Sequence, residues 1–345
     1  MANEELGVES GRSRRIVVVT GASAGVGRAV VRAFAEQGAD LALIARGRAG
    51  LDAARQEAEA AGSRVLVIPL DIADSEAVEA AAAQVESELG PIDVWVNNAM
   101  ASVFSPVKET TADEFRRVTE VTYLGYVHGT LSALRRMLPS DQGTIVQVGS
   151  ALAYRAIPLQ AAYCGAKHAI EGFTESLRCE LLHDKSNVRV TMVQMPALNT
   201  PQFGWVRSRL LNFPQPVPPI FQPELAAEAV LWASERTPRE VVVGGSALQA
   251  VYGNRVAPGL IDRFLARTNF EAQQTDRPVA ADRSDNLWAP LDDLEDMGAH
   301  GAFDERAKGS SPLWWARRRL RLLLTVALGV VGGAGAGLAA RRAKG

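Results

Sequence analysis

Three side chains in the middle of the chain have the types and spacing for acid–base chemistry. Ser150 stands just past an apolar run, Thr144 to Val148, and Tyr163 and Lys167 follow four residues apart at the start of an amphipathic stretch. Residues four apart share one face of a helix, so a phenol and an ammonium reach the same pocket. The ammonium favours the phenolate and is expected to bring the tyrosine's pKa down from about 10 towards neutrality. A tyrosine tuned in that way exchanges a proton with a carbonyl or carbinol oxygen. Tyr-x-x-x-Lys also begins many helices that do no chemistry, so its meaning depends on what surrounds it.

The surrounding elements alternate. Ile16 to Val19 reads as a strand buried on both faces, and it runs into Thr20-Gly21-Ala-Ser-Ala-Gly25-Val-Gly27 and a helix that Gly38 stops. Strand, glycine turn and helix N-terminus form a cradle of N–H groups suited to phosphate. Further strands are expected at 41–45, 65–70, 92–96, 144–148, 188–193 and 240–243. Helices are expected near 49–61, 76–89, 112–137, 161–182 and 224–235. This alternation predicts an α/β fold, a Rossmann-type doubly wound parallel sheet of about seven strands with helices on both faces. In such sheets ligands bind at the carboxyl ends of the strands, where Thr20, Asp71, Asn97 and Ser150 fall.

With 345 residues, the chain accommodates a domain of about 250 residues and appendages. Its 47% hydrophobic and 22% charged content is that of a globular protein, and a net charge of -2 gives no reason to expect nucleic acid as a partner. Cys164 and Cys179 lie about four turns apart on one expected helix, too far for a disulfide, which points to a reducing compartment. Met1 to Arg15 lacks the apolar core of a secretory signal. No metal site is expected, and His300, between glycine and alanine, is read as uninvolved.

Four marks in order, Thr20-Gly21-x-x-x-Gly25-x-Gly27, Asn97-Asn98-Ala99, Ser150 and Tyr163-x-x-x-Lys167, make the chain resemble the short-chain dehydrogenase/reductase family over about residues 14 to 250. The thirteen-residue step from Ser150 to Tyr163 is the family's as well. The resemblance implies hydride transfer between a nicotinamide cofactor and a carbonyl/alcohol pair. Tyr163 would exchange the proton, Lys167 would tune Tyr163 and hold the ribose, and Ser150 would bind the substrate oxygen. The implied cofactor-binding set is Thr20, Gly21, Ser23, Ala24, Gly25, Val26, Gly27, Arg46, Asp71, Ile72, Asn98, Ala99, Tyr163, Lys167 and Thr200. The acidic residue that selects an unphosphorylated ribose in the family is replaced by Ala45, with Arg46 and Arg48 following, so NADP(H) is expected over NAD(H). The alternative is that Arg46 merely opens an exposed helix. Asp71 is expected beside the adenine or, failing that, as a helix N-cap.

Three positions depart from the family. Thr122, within Val121-Thr122-Tyr-Leu-Gly125, replaces the asparagine that supports the lysine's proton relay, and it joins Ser150, Tyr163 and Lys167 in the candidate catalytic set. Met100 replaces a glycine after Asn97-Asn98-Ala99, and Met195-Pro196 stands in for a Pro-Gly pair. The stretch 197–221, with Phe203, Trp205, Leu210, Leu211 and Phe213, is expected either to cover an apolar substrate or simply to pack as a long loop.

Three regions are therefore expected: a catalytic domain at 14–268, an acidic extended segment or linker at 269–312, and a basic and apolar helix at 313–345. Asn286-Leu287-Trp288 is the expected anchor of the middle region. Leu322 to Ala340 is uncharged, flanked by arginines, and about 28 Å long as a helix. Glycines at 329, 333 and 337 give it a small-residue stripe. It is read as a membrane anchor, against a tail helix on the enzyme's surface, with the catalytic domain on the cytoplasmic side. A homo-oligomer is left open. The leading function is an NADP(H)-dependent oxidoreductase acting on a small-molecule carbonyl or alcohol. The competing one, motivated by Thr122 and Met100, is a catalytically weak NADP(H)-binding sensor or scaffold at the membrane.

Overall fold

The computed structural model describes residues 14–280 and 283–319. The chain runs β1 (Ile16–Thr20), α1 (Gly25–Glu36), β2 (Asp40–Ala45), α2 (Arg48–Ala60), β3 (Val65–Pro69), α3 (Ser75–Glu88) and β4 (Val94–Asn97). A two-residue β5 (Val103–Phe104) precedes α4 (Ala112–Thr119), which passes through a π-helical turn, Glu120–Leu124, into α5 (Gly125–Ser140). Then come β6 (Thr144–Ser150), α6 (Ala161–His183), β7 (Arg189–Met195), the single turn α7 (Gln202–Trp205), and the short strands β8 (Arg207–Ser208) and β9 (Asn212–Pro214). The remaining elements are α8 (Pro223–Arg236), β10 (Glu240–Val242), α9 (Gly245–Val256), α10 (Pro258–Ala272) and β11 (Gln274–Pro278).

Seven strands form one sheet in the order β3-β2-β1-β4-β6-β7-β10. All its pairings are parallel, with Val17 opposite Leu41, Val18 opposite Trp95 and Val146 opposite Thr191. The five residues of β1, Ile-Val-Val-Val-Thr, are all buried because helices cover both faces. On one side Val30 and Phe34 of α1, Leu51 of α2 and Val230 of α8 pack on the sheet. On the other, Val78 of α3, Val118 of α4, Met137 of α5 and Leu177 of α6 do so. The strand order reverses between β1 and β4, which opens a crevice at their carboxyl ends. The expected Rossmann-type architecture is therefore present. The helices α9 and α10 extend beyond the expected elements, which had only Leu260 to Ala266 as a helix end.

The segment after α10 is not a linker. β11 pairs antiparallel with β9, and the following residues bind across the carboxyl edge of the sheet as a strap. Leu287 is fully buried in the core on the α5 side. Asp296 pairs with the buried guanidinium of Arg28 on α1, at 3.1 Å, and Arg28 also donates to the carbonyls of Ser23 and Gly50. Leu287 is driven into the core because a large apolar side chain in an acidic stretch gains only by leaving water. Residues 312–319 are helical, and Trp314 packs edge-on against Trp232 with ring centroids 5.5 Å apart. The expected membrane anchor at 322–340 lies outside the described residues, and among the described residues no helix is long and apolar enough to cross a membrane.

His300, expected to stand alone, holds the strap to α8. Its ring nitrogens lie 2.8 Å from Glu224 and 2.7 Å from Asp304. Burial lowers the imidazole's pKa, but the two carboxylates outweigh it and raise it overall. A raised folded pKa means the contact stabilises fully below the unfolded value near 6.5 and is lost as pH climbs through the folded value. His300→Gln should therefore melt below the wild type at about pH 5.5 and together with it at about pH 9. Paired thermal melts at the two pH values test this; an equal gap at both would show that the imidazole's charge is irrelevant.

Candidate functional site

The candidate trio sits at the carboxyl end of β6. Ser150 is the last residue of that strand, and its Oγ accepts from the Leu152 N–H at 3.1 Å, which fixes the hydroxyl where the chain turns away from the sheet. Tyr163 and Lys167 occupy the first two turns of α6, with the lysine Nζ 5.6 Å from the centre of the Tyr163 ring. Lys167 is only 2% exposed; Nζ donates to the Val148 carbonyl at 2.7 Å and to the Tyr126 hydroxyl at 3.0 Å. Burial drops its pKa to about 7. The expectation that the ammonium lowers Tyr163 is not met. Burial pushes the Tyr163 phenol above its ordinary value, with the Ser150 hydroxyl working against that rise. The phenol is thus kept protonated near neutrality, the form that donates a proton.

The Thr122 side chain makes no hydrogen bond to the trio among the described residues. Its hydroxyl donates to the Ala101 carbonyl at 2.8 Å and accepts from the Ala101 N–H at 2.9 Å, so both of its capacities are spent holding the loop after β4. Beside the ammonium stands Tyr126, one turn further along, fully buried, with its hydroxyl donating to Val148 at 2.9 Å and its ring 4.6 Å from Nζ. The π-helical turn centred on Thr122 adds a residue to the helix and rotates α5 relative to α4, which is how a position four residues later comes to face Lys167. Sequence reasoning missed Tyr126. The signal available was an aromatic hydroxyl four residues after Thr122.

The crevice between β1 and β4 is bounded by Gly21, Ser23, Ala24, Gly25 and Val26 from the glycine turn. Arg46 at the end of β2, Asp71 and Ile72 after β3, Asn98 and Ala99 after β4, and Thr200 complete it. Gly21 has a left-handed φ of 67°, and a Cβ on Gly27 would overlap the Gly21 carbonyl, so the turn closes only with glycine at both places. Thr20 and Gly27 shape this turn and do not line the crevice. The Thr20 hydroxyl is 1% exposed and is taken up by the backbone after β4, accepting from Asn98 at 2.9 Å and Ala99 at 3.1 Å. The Asn98 amide in turn donates to the Thr20 carbonyl at 2.9 Å. A cradle of this form, which a single methyl would fill, fits a dinucleotide's phosphates.

The strap reaches this crevice from the other side, held at the expected anchor by the buried Leu287. Asn286 and Asp292 line the crevice with Trp205. The Gly298 carbonyl accepts from the Gly25 N–H at 3.0 Å. Arg46 turns its guanidinium to the Asn286 and Leu287 carbonyls, and Arg117 bridges the Leu287 carbonyl and the Asp71 carboxylate. Asp71 also accepts from the Ala73 N–H at 3.0 Å, while the N-cap of α3 is Asp74. Arg48 points outwards and pairs with Asp52.

A second cavity of about 480 Å³ opens over Ser150, Tyr163 and Lys167 and meets the first at Val26, Asn98, Met100 and Thr200. Its walls are mostly apolar, with Leu198, Phe203, Val217, Ile261, Phe264 and Leu265 among them. Of the expected lid aromatics only Phe203 faces it. Trp205 belongs to the crevice, Phe213 stacks under Arg277 with 4.1 Å to its centroid, and Leu211 is exposed. Much of the apolar wall comes instead from α10.

Fold and site together define a class, and comparison with known proteins agrees. A model of the family described as short chain dehydrogenase matches residues 15–209. An uncharacterized oxidoreductase of Bacillus subtilis, YxnA, is 30% identical over 83% of this chain and 81% of its own length. A short-chain dehydrogenase from Streptomyces avermitilis superposes with a TM-score of 0.63 at 28% identity, covering 75% of this chain and 98% of its own. An alcohol dehydrogenase from Thermococcus sibiricus, complexed with 5-hydroxy-NADP, gives 0.58 at 27% identity, over 67% of this chain and 96% of its own. The chain belongs to the short-chain dehydrogenase/reductase family and is an oxidoreductase of that type.

The two hydroxyl residues of the π-helical turn and α5 predict opposite phenotypes. Thr122→Val should cost about 1–3 kcal/mol in denaturant unfolding, through the stranded Ala101 groups, with kcat nearly unchanged. Tyr126→Phe should lower kcat by roughly tenfold and move the limb that Lys167 sets in the pH profile towards acid, since its ammonium loses an acceptor. A Tyr126→Phe profile that overlays the wild type would remove Tyr126 from the site.

Proposed function

We propose that the protein is an NADP(H)-dependent oxidoreductase that interconverts an apolar carbonyl compound and its alcohol. The observation that carries this is the meeting of two cavities at one point. A mostly apolar chamber ends at Ser150 and Tyr163, and a glycine-walled crevice opens beside them.

The bound nicotinamide would supply or accept the hydride. Ser150 and Tyr163 are placed to hydrogen-bond one substrate oxygen, and Tyr163, kept protonated by burial, delivers the proton as charge develops there. Lys167 stands behind the phenol, poised by burial to titrate near neutrality, and its remaining donor capacity would serve the cofactor's ribose. Asn98 and Thr200 stand at the junction of the cavities, and Gly21 to Val26 receive the diphosphate. The apolar walls exclude water, which strengthens each of these polar contacts. Preference for the phosphorylated dinucleotide is supported by Arg46 in the crevice and by the lack of a carboxylate at Ala45. Arg46 is largely buried, and burial lowers its pKa while Asp71 opposes that fall. A guanidinium held this way gains from an added anionic partner. The sensor or scaffold reading was motivated by Thr122 and Met100; Tyr126 stands beside the lysine where the family's asparagine is missing, which weakens the first of these motives.

Two measurements test the proposal. Among apolar ketones and aldehydes, some should drive NADPH oxidation, and Tyr163→Phe should lower that rate by about 100-fold or more while the dinucleotide still binds. Failure of every carbonyl, with binding intact, would favour a binding protein. Fluorescence titration should show NADPH binding more tightly than NADH, and the reverse order would overturn the preference.

A further inference from the structure

Asp292 is 6% exposed, lines the crevice, and has no hydrogen-bond partner for its carboxylate among the described residues. Its main chain is fastened, because its carbonyl accepts from the Gly50 N–H at 3.0 Å. The carboxylate lies over the turn between β2 and α2, where its oxygens face Gly47 and Gly50, with Ser23 of the glycine turn alongside. The seat is shaped to it. Gly47 has φ -75° and ψ 123°, a conformation open to any residue, yet a Cβ there would overlap the Asp292 carboxylate. Glycine at 47 therefore serves the strap's side chain and not the backbone. The Asp292 oxygens face the crevice, where a donor on a bound ligand can reach them. Between a phosphate-binding turn and the end of the second strand, the groups a dinucleotide presents are the hydroxyls of its adenosine ribose.

Resting on the nicotinamide reading above, we propose that Asp292 is a specificity determinant, supplied by the C-terminal strap, for the adenosine ribose. Its carboxylate accepts a hydrogen bond from a ribose hydroxyl and repels a 2′-phosphate. It thereby holds in check the preference that Arg46 creates. Both residues line the crevice, and they form no ion pair with each other among the described residues. Cofactor selection is thus divided between the end of β2, which contributes the cation, and a segment 246 residues later in the chain, which contributes the anion.

The test is equilibrium binding of NADPH and NADH to the full chain by fluorescence titration, for wild type, Arg46→Ala, Asp292→Asn and Gly47→Ala. Asp292→Asn is isosteric and keeps the main-chain bond, so packing alone predicts no change in selectivity. It should raise the NADPH-over-NADH affinity ratio about tenfold, mostly by tightening NADPH, with the gain shrinking at high salt. Gly47→Ala, which displaces the carboxylate, should move the ratio the same way. If Arg46→Ala changes the ratio and Asp292→Asn leaves it unaltered, the cofactor reading stands and the role of Asp292 is wrong. Equal losses for both dinucleotides would likewise reduce Asp292 to a structural part. If the wild type binds neither dinucleotide, the nicotinamide reading falls and this inference falls with it.

Discussion

The site is built around a buried ammonium. Placing the Lys167 charge at 2% exposure is tolerable only if its donors are satisfied, and the acceptors come from two different elements, the Val148 carbonyl on β6 and the Tyr126 hydroxyl on α5. Those two bonds set the approach of α6 to the sheet, and with it the position of Tyr163 relative to Ser150. Burial then divides the protonation states in a useful way. It lowers the lysine towards neutrality and lifts the phenol, so the Tyr163 hydroxyl stays protonated near neutral pH. The polar knot around Thr20 does the equivalent work on the other side of the crevice, spending a hydroxyl and an amide to lock the glycine turn to β4.

Much of this was legible in the chain. Ile16 to Val19 announces a strand buried on both faces because no residue in it tolerates water, and the helix of 161–183 shows its period plainly. Ser150, Tyr163 and Lys167 could be placed because their spacing maps directly onto one strand end and one helix face. Gly21 and Gly25 came from the strand–turn–helix order, and Asn98, Ser23, Ala24 and Val26 from the family resemblance. The direction of the Tyr163 shift was not legible, since burial depends on walls brought from Met100, α7 and α10, and a lysine's effect depends on where its hydrogen bonds point. Alignment of Thr122 with an asparagine gave no sign that its hydroxyl would bind Ala101, or that Tyr126 beyond the π-helical turn would accept from Lys167. Asn97 illustrates the same limit. It sits in the signature yet faces the core, donating to Thr130 and Gln147 at 3.0 Å each.

The strap was the least legible part. Its acidic, aperiodic sequence reads as a connector, because the partners that give its charges meaning are arginines distant in sequence. Arg28, 1% exposed, gathers Asp296, Glu57 and two carbonyls, and Arg117 gathers Leu287 and Asp71. Glu57 is held down to about 2, burial opposing but Arg32 and Arg28 prevailing, which reflects how fully those cations are matched. A buried arginine demands acceptors, and here the demand recruits a late segment to an early element.

That recruitment has a consequence for how the protein is made. Arg28 and Asp296 are 268 residues apart, and contacts of such separation form late because the intervening chain must first be ordered. During synthesis the sheet, the glycine turn and the Ser150–Tyr163–Lys167 group are all complete before the strap has been translated. The candidate site residues are therefore synthesised before the segment that roofs the crevice. Closure of that cleft comes late in folding, and it waits for the strap to leave the ribosome.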